Sequence, residues 1–146
     1  MEEPYSMYSF LLDKTAKSVK QYAQRRFKEM GFNITVDQWL VLRHLSEAND
    51  LNQKELATLV FKDTPTLTRI IDLLCEKGLT EREINLEDRR CFKVKLTKEG
   101  KEKVATIQPK IKDVRLKAWE GLSESDFNQF KRILNAIYEN LEPLNK

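Results

Sequence analysis

The chain has 146 residues, 34% charged and 40% hydrophobic, with a formal net charge of +3. That length supports one domain with a real core and is too short for two independent ones. No run of about 18 apolar residues occurs, which argues against a membrane span, and the start has two glutamates and no basic stretch, so no signal peptide is read and a cytoplasmic location is expected.

Leu12, Ala16, Val19, Ala23, Phe27 and Met30 recur every three or four residues, the period of one buried helical stripe. Gly31 supplies the stop. Thr35 then offers an N-cap, with Gln38 at capping-box spacing. The helix it opens carries Trp39, Leu40, Val41, Leu42 and Leu45 around most of its circumference, which predicts a position inside the domain. Asn52 and Glu55 repeat the cap pattern before a short helix from Gln53 to Val60, and a break follows at Lys62 to Thr64. Pro65 lies just inside the next helix, where its missing N–H costs nothing. There Leu67, Ile70, Ile71 and Leu74 form an inward stripe, Thr66, Thr68, Arg69 and Asp72 take the opposite side, and Gly78 ends the helix.

The period then changes. Phe92, Val94 and Leu96 alternate with Cys91, Lys93 and Lys95, a strand pattern, and residues 79–84 form a poorer partner strand. The connection at 85–90 has no Gly or Pro and is rich in charge, so it reads as a projecting loop rather than a two-residue turn. Thr97 caps a long helix with the stripe Val104, Ile107, Ile111, Val114 and Ala118, and Pro109 is expected to kink it. Past Gly121, Ser123 and Asp126 cap a last helix bearing Phe127, Phe130, Leu134, Ile137 and Leu141. Both stripes have the spacing of helices made to pack on other helices.

The fold class is therefore mainly α with a small β-hairpin wing: a winged helix-turn-helix. Such a unit places the N-terminal residues of its second helix against base edges in the major groove, while a basic loop reaches the neighbouring minor groove. Double-stranded DNA is the partner this implies, through a local patch, since the net charge is small. The candidate contacts are Thr64, Pro65, Thr66, Thr68 and Arg69 on the second helix, Gln53 and Lys54 opening the first, and Asp88, Arg89 and Arg90 in the loop. Threonine is a mediocre helix former, and its hydroxyl suits base edges and phosphates. Pro65 serves either a thymine methyl or helix initiation. Gln53, Lys54 and Arg89 suit the DNA backbone, and Arg90 suits the minor groove with Asp88 bracing the loop. Asp72 would repel phosphate, so it is expected to brace Arg82 or a wing arginine.

Cys75 and Cys91 with the single histidine, His44, are too few soft ligands for a metal site, and no cofactor is expected. A structural disulfide is not expected in a cytosolic chain, and Cys75 reads as a small core residue. No Ser/His/Asp set or Gly-rich phosphate loop points to an enzyme.

The helix from Asp37-Gln38-Trp39 to Leu45, the segments LNQKELATLV (51–60) and DTPTLTRIIDLLCEKGLTERE (63–83), and the run NLEDRRCFKVKLTKEG (85–100) with Asp88 and Arg90 together resemble the MarR family of transcriptional regulators. The resemblance implies a homodimer built by helical regions at 1–33 and 101–146, notably Tyr5 to Leu12 and Phe127 to Leu141, around a winged DNA-binding region at 34–100. It also implies repression at a palindromic operator, with recognition helices about 34 Å apart. Release by a small aromatic or phenolic ligand would follow from a pocket between the two regions. Tyr8, Trp39, Arg43, His44 and Ile107 are its candidates, with ordinary core and interface packing as the alternative. In the peroxide-sensing branch the sensing cysteine lies near the start of the first helix; residues 1–30 contain none, so redox switching is not expected. A winged-helix protein-interaction module without DNA binding is the competing function, and the outward threonines and wing arginines speak against it.

Overall fold

The computed structural model describes residues 3–48, 51–84 and 92–145. In chain order the elements are α1 (Tyr8–Glu29), α2 (Val36–Glu47), β1 (Leu51–Asn52), α3 (Gln53–Leu59), α4 (Thr64–Glu76), β2 (Thr80–Ile84), β3 (Phe92–Leu96), α5 (Lys98–Ala118), α6 (Glu124–Leu141) and a closing 3-10 turn, Glu142–Asn145. They divide into two compact units, Met1–Lys112 and Asp113–Lys146.

Local chemistry sets the element boundaries in the first unit. Thr35 and Asn52 each complete a reciprocal capping box, with Gln38 and Glu55. The apolar residues then converge. Leu42, Leu56, Leu67, Ile71, Leu74, Val94 and Ile107 are among its most deeply buried side chains, and burying each fully is worth about 1.5–3 kcal/mol. Helix α2 sits inside as its composition predicts, with Trp39, Val41, Leu42 and Leu45 all buried. The four-residue stripe of α4, Leu67, Ile70, Ile71 and Leu74, is buried throughout.

The sheet holds a strand that the sequence does not announce. Its order is β1-β3-β2, antiparallel throughout, with Leu51 opposite Val94, Thr80 opposite Leu96 and Ile84 opposite Phe92. Strand β1 is two residues long, and its Asn52 doubles as the N-cap of α3, so no alternation can show. Val94 and Leu96 point into the core as predicted, whereas Phe92, further out on the hairpin, is exposed.

The hairpin is tied to the helices on either side. The Thr97 hydroxyl donates to the Gly78 carbonyl at 2.6 Å and accepts from the Gly100 N–H at 3.0 Å, while the Thr97 N–H donates to the Leu79 carbonyl at 3.1 Å. Gly78 has φ +76°, so it can turn the chain from α4 into β2. Gly100 serves a different end: a Cβ there would lie 2.0 Å from the Leu79 carbonyl oxygen.

One expectation needs correction. The α1 stripe is not buried along its length: Phe27 is buried and Ala23 and Met30 half-buried, but Leu12, Ala16 and Val19 are exposed. The core meets only the last turns of this helix, and the repeat alone cannot tell a core face from an intersubunit one. Helix α5 spans Lys98 to Ala118 with Pro109 inside it, where the sequence places it.

In the second unit, Ser123 and Asp126 form the predicted capping box of α6. Trp119 stands edge-on to Phe127 and Phe130, with ring centroids 5.1 and 5.2 Å away. Helix α6 nevertheless has no buried residue; Phe127, Phe130, Ile133, Tyr138 and Leu141 are all exposed. Among the described residues no helix is long and apolar enough to cross a membrane.

Candidate nucleic-acid interface

Helices α3 and α4 are joined by a turn that needs a left-handed residue, and Phe61 supplies it with φ 59°. The Lys62 N–H then closes onto the Ala57 carbonyl at 3.0 Å. The sequence gives no warning of this, because the left-handed residue is not glycine. Asp63 caps α4 by accepting from the Thr66 N–H at 2.7 Å. That backbone bond, with the Thr66 side chain beside it, holds the Asp63 carboxyl below the usual carboxylate range. The first amides of α4 are thus shared with a carboxylate, which weakens the case for a phosphate on the helix N-terminus itself.

Thr64, Pro65 and Arg69 are exposed, and Thr66 and Thr68 are half-buried. Thr68 does not offer a free hydroxyl. It donates to the Thr64 carbonyl at 2.9 Å and accepts from Gln53 Nε2 at 2.8 Å, linking the two helices. Lys54 stays exposed beside Gln53. Asp72 pairs with Arg82 across α4 and β2, one of the two partners expected for an acidic group that would repel phosphate. These side chains surround an open concavity of about 580 Å³, lined by Gln53, Lys54, Thr64, Thr68, Asp72, Arg82 and Phe92. Five of the predicted contacts, Thr64, Pro65, Thr66, Thr68 and Arg69, fall in the first half of α4, and Gln53 and Lys54, which open α3, line the groove with Thr64 and Thr68. Arg82 and Phe92 also line this groove without having been named as contacts. Arg82 has a signal in the sequence, its expected acidic partner Asp72; Phe92 shows there only as one face of a strand alternation. Asp88, Arg89, Arg90 and the second cysteine, Cys91, lie outside the described residues.

Two further charge clusters join neighbouring elements. Lys95 on β3 lies 3.5 Å from both Glu81 and Glu83, and those two carboxylates, Glu83 foremost, raise its pKa. On α2, partial burial works against ionisation of Asp37, but the ammonium groups of Lys20 (2.9 Å) and Lys62 (3.4 Å) outweigh it and lower the pKa. This cluster ties α1 and the α3–α4 turn to the start of α2.

The ligand candidates scatter. Trp39 and Ile107 are packed in the hydrophobic core, in line with the packing alternative. Tyr8 is exposed on α1, while Arg43 and His44 are half-buried on α2, with Arg43 paired to Glu47 at 3.2 Å. Cys75 is half-buried against the core, its Sγ 3.3 Å from the Thr80 hydroxyl. Among the described residues no group of three or more His, Cys, Asp or Glu could hold a metal ion.

The MarR family model matches residues 34–92. The chain is 27% identical over 124 residues to the HTH-type transcriptional repressor IacR of Pseudomonas putida, covering 85% of this chain and 73% of that one. Among solved structures, transcriptional regulator PA3341 is 32% identical, with a TM-score of 0.78 and coverage of 93% of this chain and 98% of that one. A complex of S. aureus MepR with DNA is 25% identical, with a TM-score of 0.83 and coverage of 92% and 98%.

Proposed function

The chain belongs to the MarR family, and on that premise we propose that it is a transcriptional repressor that binds a palindromic operator as a homodimer and is released by a small aromatic ligand. The observation that carries the DNA-binding part is the start of α4. Exposed Thr64, Pro65 and Arg69, with Thr66 beside them, stand at the end of a helix held against α3 and the hairpin, beside the groove that Gln53 and Lys54 line. A helix presented in this way fits the major groove with its first residues at base edges. The solved complex of MepR with DNA supports the same use of the fold. Asp88, Arg89 and Arg90 belong to the proposed interface as the wing, with Arg90 in the minor groove.

The dimer has its own support. Tyr5, Met7, Tyr8, Phe10, Leu11, Leu12 and Val19 are exposed at the start of the chain and along α1, as are the aromatic and aliphatic residues of α6. Apolar surface on this scale belongs against a second copy. Residues 1–33 and 101–146 are accordingly the dimerisation region and 34–100 the DNA-binding region. Of the proposed ligand contacts, Tyr8, Arg43 and His44 keep side-chain surface that an aromatic acid could use.

Electrophoretic shift assays at two salt concentrations test the reading. Specific binding weakens steeply as salt rises, with a slope of about −0.9 per phosphate neutralised. Arg69→Ala and Arg90→Ala should each weaken binding. Wild-type affinity in Arg90→Ala would remove the wing from the interface. A monomer in light scattering that shifts no DNA would favour a protein-interaction module instead.

A further inference from the structure

We propose that Gln53 reads an adenine in the major groove of the operator and that Thr68 is the positioning residue that fixes its amide. The assignment rests on the DNA-binding reading above and deepens it. Thr68 has one hydroxyl proton, and the carbonyl of Thr64, 2.9 Å away on the preceding turn, can only accept. The hydroxyl proton goes there, which leaves an oxygen lone pair for Gln53 Nε2 at 2.8 Å. The orientation of the amide follows: its nitrogen faces Thr68 and its oxygen faces away.

One Nε2 proton is used in that bond. With the proton anti to Oε1 in that bond, the second lies beside Oε1, and Gln53 then offers a donor and an acceptor side by side. Adenine presents the complement in the major groove, the N7 acceptor and the N6 amino donor, and glutamine pairs with it through two hydrogen bonds. At the Gln53 amide a phosphate fits poorly, because it offers only acceptors. It would meet Gln53 Oε1 and the Asp72 carboxylate in the same concavity, while the Thr66 amide is already taken by Asp63. Lys54, exposed next in sequence, is the group suited to phosphate. Holding the amide before DNA arrives also lowers the entropy lost on binding.

The test is a single-base-pair scan. A duplex selected for binding by the wild-type chain is substituted one base pair at a time, and affinities are measured by fluorescence anisotropy for wild type, Gln53→Ala, Thr68→Val and Thr68→Ser. Wild type should discriminate against substitution of one A·T pair per half-site by about 5- to 150-fold. Gln53→Ala should lose that discrimination while keeping it at the other positions and keeping the salt slope. Thr68→Val should reduce it at the same pair, and Thr68→Ser, which retains the hydroxyl, should preserve it. Uniform weakening of every duplex by Gln53→Ala overturns the assignment, as does a loss that falls on a G·C pair. Discrimination unchanged in Thr68→Val, or lost equally in Thr68→Ser, overturns the role of Thr68. A wild-type chain that prefers no duplex overturns the DNA-binding reading as well, so the two failures are distinguishable.

Discussion

Replacing Gly100 by alanine should destabilise the protein, although helix propensity alone predicts the opposite. In an unobstructed helix the change gains about 1 kcal/mol. Gly100 is the third residue of α5, and its missing side chain is filled by backbone. An alanine Cβ would meet the Leu79 carbonyl oxygen at 2.0 Å, the Leu79 carbonyl carbon at 3.1 Å and Leu96 Cδ2 at 3.2 Å. Carbon and oxygen rest at about 3.3–3.6 Å even in close contacts, so α5 and the Leu79 peptide must separate by about 1 Å or more. A peptide cannot rotate aside as a side chain can. The separation strains the bonds of Thr97 to Gly78, Leu79 and Gly100, worth about 1 kcal/mol each, on top of about 1–3 kcal/mol for overpacking. With about one bond's worth lost to strain, the net loss after the propensity gain is about 1–3 kcal/mol. Urea denaturation followed by circular dichroism, at one fixed protomer concentration because a dimer's stability depends on it, measures the difference. A Gly100→Ala chain as stable as wild type, or more stable, would refute the packing described for this junction.

Ile71→Ala removes a fully buried side chain from the centre of the α4 stripe and should cost about 2–5 kcal/mol in the same assay. Asn52→Ala deletes the N-cap of α3, where the side chain accepts from Glu55 at 2.7 Å, and should cost about 0.5–2 kcal/mol. Asp37 makes stability depend on acid. Its folded pKa lies below its unfolded one, so its contribution is complete above the unfolded pKa and is lost as pH falls through the folded value. Asp37→Asn should therefore lose less stability than wild type when the pH is lowered below about 4, and equal losses would show that Lys20 and Lys62 do not hold the carboxylate.

Features whose cause lies within a few residues were legible in the sequence. The capping boxes at Thr35, Asn52 and Ser123 are four-residue patterns, and each is formed. The α4 stripe was equally plain, because a buried face repeats at the helical period. Charge logic narrowed the partner of Asp72 to Arg82 or a wing arginine, since an acidic group beside a phosphate-binding helix needs a cation, and Arg82, ten residues on, is the one found. Where the cause is tertiary, the sequence fails. The contact between Gly100 and Leu79 is invisible without coordinates, and so is the bond from Gln53 to Thr68, fifteen residues on. Gln53 therefore read as one more backbone contact. Phe92 shares its strand face with buried Val94 and Leu96, yet it lies further out on the hairpin and is exposed, a difference that alternation cannot show. The α1 stripe misled for a related reason, since an apolar repeat looks the same whether its own core or a second chain covers it.

Selection of binding sites from a pool of random duplexes tests the central claim most directly. If the chain is a dimeric reader of DNA, the enriched sequences will share an inverted repeat whose half-site centres lie about 10 base pairs, one helical turn, apart. A pool that shows no enrichment, or that converges on a single unrepeated motif, would contradict it.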